Sequence, residues 1–347
     1  AIAARNGAQG QMYLQTNSTV SKKKSSFLSS AKSTANQTND DNLSIKNLMK
    51  REKRGKCSAG IALSGKKGSN ADLLVGHTTF GDFSSMTRVI KYYNFHLGLS
   101  GTANNKIHFS SYPGCIHSPD SYYVTESGLL ITDTSIELLD GGLYDELRDF
   151  PNFPHVPDFM HVMAVNRLSD CAPCWADHYK KHQLNPGLMN NQWLIVNYNI
   201  FHPGQSLQDN TVWLLESVPG HVRSGDVSQK LENERFLQSA NRPYFEKIRE
   251  VTGYDVAEKT HGDIYSYEKN PRAVILHAAL TASDQSLTAM RGNMHRNYYP
   301  HATSPPQALN TPGFEVAARF DRENIDPAPA GGIDSKVTNY CSVKNLM

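Results

Sequence analysis

Arg51-Glu52-Lys53-Arg54-Gly55-Lys56-Cys57-Ser58-Ala59 is the stretch on which the reading of this chain turns. Upstream, residues 14–56 are rich in Ser, Thr, Asn and Lys, with little to bury. Such composition cannot offset the entropy of ordering and is expected to be flexible. Downstream, an ordered pattern begins at once. Residues 58–63 are a short apolar run, Ser64-Gly65-Lys66-Lys67-Gly68-Ser69-Asn70 carries turn chemistry, and Asp72-Leu73-Leu74-Val75-Gly76 is a second apolar run. Two such runs around a Gly-containing turn predict a β-hairpin whose first strand starts at Cys57. A cysteine at this boundary can become the first residue of a processed chain. Its thiolate would then be the nucleophile and its freed α-amine the base. On this reading the chain hydrolyses an amide or ester, and cleavage involves Arg54, Lys56 and Cys57.

The 347 residues have room for one large domain or two ordinary ones. With 20% charged and 39% hydrophobic residues, the composition is globular. A net charge of +2 gives no footprint for nucleic acid or an anionic membrane. No apolar run approaches the roughly 18 residues that span a bilayer. The chain opens at Ala1 without a signal-peptide pattern, so it is expected to be mature or a fragment. Five cysteines (Cys57, Cys115, Cys171, Cys174, Cys341) are too few for a disulfide scaffold. Sequons at Asn17, Asn36 and Asn42 are candidate glycosylation sites. Arg51-x-Lys53-Arg54 reads as a solvated charge run or a secretory convertase site. Together with the sequons it favours a lysosomal or extracellular route.

Beyond the hairpin, Met86, Val89, Ile90 and Tyr93 fall at i, i+3, i+4 and i+7 and predict a helix over 82–95. Strand-like runs recur at 107–112, 122–124, 129–132, 192–198 and 212–216. Helical patterns recur near 157–168, 243–251 and 283–297. Strands and helices come in clusters, which favours an α+β fold over a doubly wound sheet. Residues 300–312 and 327–332 read as loops.

A catalytic thiol needs a base and donors aimed at the developing oxyanion. His77 ends the second strand of the hairpin, where antiparallel pairing brings it near Cys57. On spacing alone, a half-buried strand-end histidine with a satisfied hydrogen bond is the commoner case. Asn190 and Asn191 open a strand; they read as a turn, or as amide donors to an oxyanion. Asn270-Pro271-Arg272 reads as a turn with an exposed arginine, or as a fixed charge near the thiolate.

These residues sit within a longer resemblance. Cys57-Ser58-Ala59, Asp72-Leu73-Leu74-Val75-Gly76-His77-Thr78-Thr79 and Met86-x-Arg88-x-Ile90-Lys91-Tyr92-Tyr93 resemble the phospholipase B-like family. So do Phe109-Ser110-Ser111-Tyr112-Pro113-Gly114, Val165-Asn166-Arg167-Leu168 and Trp175-Ala176-Asp177. The likeness continues through Asn190-Asn191-Gln192-Trp193, Glu216-Ser217-Val218-Pro219-Gly220, Lys269-Asn270-Pro271-Arg272-Ala273 and Gly331-Gly332-Ile333-Asp334-Ser335-Lys336-Val337-Thr338. The resemblance implies a four-layer αββα sandwich of N-terminal nucleophile hydrolase type. It implies a pro-region and glycosylated linker over 1–56, and a hydrolase domain over 57–347 that continues beyond Met347. It implies Cys57 as nucleophile, with His77, Asn190, Asn191 and Arg272 around the pocket. Thr78 stands where the family commonly has Asn, and Phe80 where it has Trp; both are expected near the pocket. The substrate expected is a lipid, cut at an ester or amide bond, with no metal or organic cofactor. The alternatives are an amidase acting on N-acyl substrates, and an inactive secreted lipid-binding glycoprotein on the same fold. An acidic optimum follows from the inferred compartment alone.

Cys171-x-x-Cys174 with His178 and His182 raises zinc. On one helix, four such residues spread over about 16 Å at 1.5 Å per residue, too far to close a tetrahedron. A local disulfide or two buried thiols is the expectation there.

Overall fold

The computed structural model of the protein describes residues 57–139, 142–143, 156–181, 190–282, 285–299, 311–323 and 329–347. The expectations for 1–56, including Asn17, Asn36, Asn42, Arg54 and Lys56, lie outside the described residues, as does His182.

The hairpin forms as its sequence predicts: β1 (Cys57–Lys66) runs against β2 (Ser69–Asp82). Lys67-Gly68 makes the connection, and Gly68 takes the positive φ of 78° that a tight hairpin turn favours. Glu232 clamps this tip, accepting from the Gly68 N–H at 2.8 Å and from Asn70 Nδ2 at 2.7 Å. The resulting register sets Cys57 opposite Thr79 and Ala59 opposite His77. Two further strands, β10 (Phe236–Ser239) beside β1 and β11 (Ala330–Thr338) beside β2, complete a four-stranded antiparallel sheet.

A second, seven-stranded antiparallel sheet follows chain order: β3 (Val89–Asn94), β4 (Lys106–Ser111), β5 (Tyr122–Thr125), β6 (Leu129–Ser135), β7 (Asn191–Asn197), β8 (Val212–Val218) and β9 (His221–Asp226). Among the described residues there are eight α-helices: α1 (Asp158–Leu168), α2 (Ala172–Lys181), α3 (Ser228–Glu234), α4 (Glu246–Thr252), α5 (Tyr254–His261), α6 (Pro271–Leu280), α7 (Leu287–Met294) and α8 (Tyr340–Lys344). Two antiparallel sheets with segregated helices make this an α+β fold.

Strand alternation explains how the layers pack. Ala59, Ile61, Leu63, Leu73 and Val75 project from the small sheet into one core with Leu130, Leu194, Val196, Val212 and Leu214 of the large sheet. The large sheet's other face (Ile107, Phe109, Ile131, Trp193, Ile195) packs on Val162 and Val165 of α1 and on Trp175 and Tyr179 of α2. Ala62 and Leu74, on the small sheet's other face, pack on Ile275, Leu276 and Leu280 of α6 and on Met290 and Met294 of α7. Cys57 through Leu63 are therefore buried without interruption, the pattern of a strand covered on both faces.

Three expectations are corrected. No helix spans 82–95: a 3₁₀ turn (Phe83–Ser85) leads into β3. Val89-Ile90-Lys91-Tyr92-Tyr93 is β-branched and aromatic, and β4 supplies its backbone partners. Of the four residues read as a helix face, Tyr93 packs against a core, whereas Met86, Val89 and Ile90 are exposed. The run 327–332 is not wholly loop, because Ala330–Gly332 belong to β11. Asn270-Pro271-Arg272 is no exposed turn. Asn270 caps α6 with its side chain, Pro271 sits in the first turn, and Arg272 is buried at 2% exposure. Cys171 and Cys174 form a disulfide, which removes both thiolates a zinc ion would need; His178 Nδ1 instead lies 2.9 Å from Ser169 Oγ.

Candidate active site

Cys57 heads β1 on the face that looks across at the large sheet, sharing that face with Ala59 and Ile61. Burial, and then the charge of Asp133, push its thiol up to about 12. A thiol in that setting holds its proton at neutral pH.

His77 lies two residues from Thr79 on the same face, diagonal to Cys57 across the strand pair. It is fully buried. Its Nε2 lies 2.9 Å from the Asp133 carbonyl oxygen, which can only accept. Nε2 therefore carries the proton, and Nδ1 presents its lone pair. Nδ1 has no hydrogen-bond partner among the described residues. Burial, with the nearby charge of Lys336, pulls His77 down to about 3, so the ring is neutral. The bond to Asp133 also ties β2 to β6 across the core.

Arg272 and Asn241 stand beside this pair. The chain leaves β10 just past the Ala59–Ser239 pairing, which brings Asn241 to the level of Cys57. Asn241 adopts a left-handed φ of 64°. Its Oδ1 accepts from Arg272 Nη1 at 2.6 Å, and its Nδ2 donates to the Ser135 carbonyl at 2.8 Å. The Arg272 guanidinium lies 4.8 Å from the Phe80 ring centroid. Phe80 and Thr78 are on the opposite face of β2 from His77. Thr78 Oγ1 donates to the Met294 carbonyl at 2.7 Å, so these two residues face helix α7 and Arg272, away from the cysteine's side.

Asn190, just before β7, and Asn191, its first residue, separate. The Asn190 carbonyl accepts from the Ile136 N–H at 2.6 Å, next to the Ser135 carbonyl that Asn241 holds. Asn191 shares the face of Trp193 and Ile195, toward α1 and α2. Gln192 faces the cysteine's side. Its Nε2 donates to Glu216 Oε1 at 2.5 Å and to the Arg242 carbonyl at 3.0 Å, and its Oε1 accepts from Ser239 Oγ. Ser239 Oγ in turn lies 2.6 Å from Thr134 Oγ1.

Sequence reasoning passed over a charged cluster at the same level. Lys336 of β11 pairs with His77, and its Nζ donates to Thr79 Oγ1 at 3.0 Å. Its ammonium also meets Asp334 and lies 3.6 Å from Asp120 Oδ2. Arg88 Nε binds both Asp120 oxygens, at 3.1 and 2.9 Å, and Ser110 Oγ donates to Oδ2 at 2.6 Å. Burial would raise Asp120, but Lys336, Ser110 and Arg88 together hold it below the usual carboxylate range. Arg88, Ser110, Asp334 and Lys336 each lie in a quoted motif, so the signal was in the sequence; their convergence was not. An open polar cleft of about 510 Å³ adjoins β11, lined by Arg319, Arg322, His295, Asn297, Asp334 and Ser335 among others.

The arrangement joins a sheltered thiol, a neutral imidazole, amide donors and a compensated charge cluster at one end of the inter-sheet space. The Phospholipase B family profile matches residues 10–347. Phospholipase B-like protein F of Dictyostelium discoideum is 33% identical over 297 residues, covering 83% of this chain and 50% of that protein. Phospholipase B-like protein C of the same organism is 32% identical over 292 residues, covering 82% of this chain and 49% of its own length. The chain thus spans about half the length of the curated relatives it matches. Matched along nearly its whole length, the chain belongs to the phospholipase B family.

Proposed function

We propose that this chain carries the nucleophile of a phospholipase B-like acyl hydrolase, in which Cys57 becomes an N-terminal nucleophile after cleavage of the Lys56–Cys57 bond. The observation that carries this reading is the place of Cys57: first residue of β1, on the inter-sheet face, diagonal to His77 and level with Asn241. The three stacked cores support a four-layer αββα sandwich of N-terminal nucleophile hydrolase type. Residues 57–347 form the hydrolase domain, and 1–56 the pro-region and linker, in a lysosomal or secreted glycoprotein.

In the uncut chain the thiol holds its proton, and His77 is too weak a base to remove it. Cleavage supplies the missing base. The freed α-amine takes the thiol proton, and the thiolate adds to the acyl carbonyl. The Asn241 amide, with Asn190 and backbone N–H groups, donates to the oxyanion. Arg272 fixes Asn241 from behind. Collapse breaks the bond to the leaving oxygen, which takes the proton from the ammonium and departs as an alcohol. Water then adds to the thioester and loses its proton to the amine. The carboxylic acid leaves, and the thiol is restored. The leaving atom is nitrogen in the amidase reading, and the steps are otherwise the same.

Intact-mass analysis and N-terminal sequencing of wild type beside Cys57→Ala test the proposal. A chain beginning at Cys57 in the wild type and absent from the variant is expected, together with acyl release from phospholipid that the variant lacks. Release from N-acyl substrates alone would move the assignment to an amidase. No cut in either protein would overturn the mechanism and leave lipid binding as the function.

A further inference from the structure

The charge cluster beside Cys57 is placed there by an irregularity in β11. Regular pairing from Gly332↔Phe80 would set Asp334 opposite Thr78, on the helix side of the sheet. Instead the register shifts between Gly332 and Asp334, and Asp334 lies opposite Thr79. The bulge brings Asp334 and Lys336 to the face of Cys57 and His77. Burying two cations and two carboxylates is costly even when they pair, so stability alone is weak grounds for such a cluster. The Lys336 side chain is 9% exposed and that of Asp120 fully buried.

The hydrogen-bond directions are set by chemistry. An ammonium only donates, so Thr79 Oγ1 must accept from Lys336 Nζ. The Thr79 hydroxyl keeps its own proton to give, and the residue directly across the strand pair is Cys57. We propose that Lys336 acts on Cys57 through Thr79: the lysine orients and polarises the threonine hydroxyl, which donates to the sulfur when the thiolate forms. Lys336 is thus a positioning residue, and Asp334, Asp120 and Arg88 hold its ammonium at Thr79. No proton is transferred and no bond changes. The ionisable groups around the thiol are His77 on β2, Asp133 on β6, Asp120 before β5, and Asp334 and Lys336 on β11. The two aspartates Asp133 and Asp120 oppose thiolate formation, and Lys336 favours it.

The inference rests on the nucleophile reading only for its purpose, and its test does not need acyl hydrolysis. The rate of iodoacetamide alkylation at Cys57, resolved from Cys115 and Cys341 by peptide mass spectrometry, is followed against pH in the full chain below about pH 9, and the midpoint is compared between variants by the displacement of the rising limb of log rate along the pH axis. Lys336→Met and Thr79→Val are both expected to move the midpoint upward, and a shift of one pH unit is about a tenfold loss of rate at fixed pH. Lys336→Arg keeps the midpoint near wild type, and the Met/Val double variant shifts no further than the larger single one. Thr79→Val keeps every ion pair, so it remains informative if Lys336→Met fails to fold. An unchanged midpoint in Thr79→Val, or additive shifts in the double variant, overturns the relay. Shifted midpoints in a protein whose chain never begins at Cys57 would leave the relay standing and remove the hydrolase mechanism.

Discussion

Single residues decide how closely the elements around Cys57 approach. Gly331 is the sharpest case: a Cβ there would lie 2.2 Å from the Ala318 carbonyl oxygen, a backbone atom that cannot turn aside. Gly331→Ala is expected to cost about 1–3 kcal/mol by overpacking, read from urea denaturation midpoints. Gly60 makes the contrasting case. Its added Cβ would meet the Leu280 Cδ1 tip at 2.6 Å, which a rotamer change can relieve, so Gly60→Ala is expected to cost less. An equal loss in the two variants would contradict this account. At this scale the sequence named Cys57, His77 and Arg272 as neighbours, but not Asn241 or Lys336, which stand between or beside them. Phe80 and Thr78, read as pocket neighbours, turned to the helix side because successive residues of a strand face opposite ways.

Among the elements, α6 carries the most for the site, since it delivers Arg272 to Asn241. Asn270 starts it: Oδ1 accepts from the Ala273 N–H at 3.0 Å, while Nδ2 donates to the Ser266 carbonyl at 2.9 Å. Asn270→Ala is expected to destabilise the protein by about 1 kcal/mol, and Asn270→Asp by less, because Asp retains the cap acceptor. Thermal melts of the two variants check the order. The strand β3 shows the limit of periodicity. Its apolar residues fit a helical stripe, yet Ile90 is 71% exposed, and pairing with β4 decided the conformation. β11 escaped for another reason. Its Gly-Gly start reads as loop chemistry, and only the approach of Ala318 shows why a strand needs glycine there.

For the molecule as a whole, the buried carboxyls set a pH dependence. Burial raises Asp133 to about 8, Glu216 to about 7 and Asp158 to about 6. Folded protein keeps these protons where the unfolded chain, with carboxyls titrating near about 4, has lost them. Their contribution is full below that pH and is lost as pH rises through 6 to 8. His77 runs the other way. Its folded value of about 3 lies below the 6.5 of a free imidazole, so its contribution is full above 6.5 and lost as pH falls toward 3. The melting temperature is therefore expected to be higher near about pH 6 than near about pH 8.5. Asp133→Asn should flatten that slope, and a wild-type melting temperature that rises into the alkaline range would refute the assignment.

The sequence by itself determined the hairpin that begins at Cys57, the strands β4 to β8, the clustering that makes the fold α+β, and the family. Those follow from local pattern: apolar runs of strand length, a Gly-containing turn, and collinear motifs. Tertiary structure decided what those motifs form together. Lys336 and His77 are distant in the chain and meet because β11 pairs with β2; Arg88 and Asp120 join them from the residues just before β3 and β5 of the other sheet. Such convergence is fixed by strand order, register and one bulge. Each depends on contacts between distant segments, which no local pattern encodes.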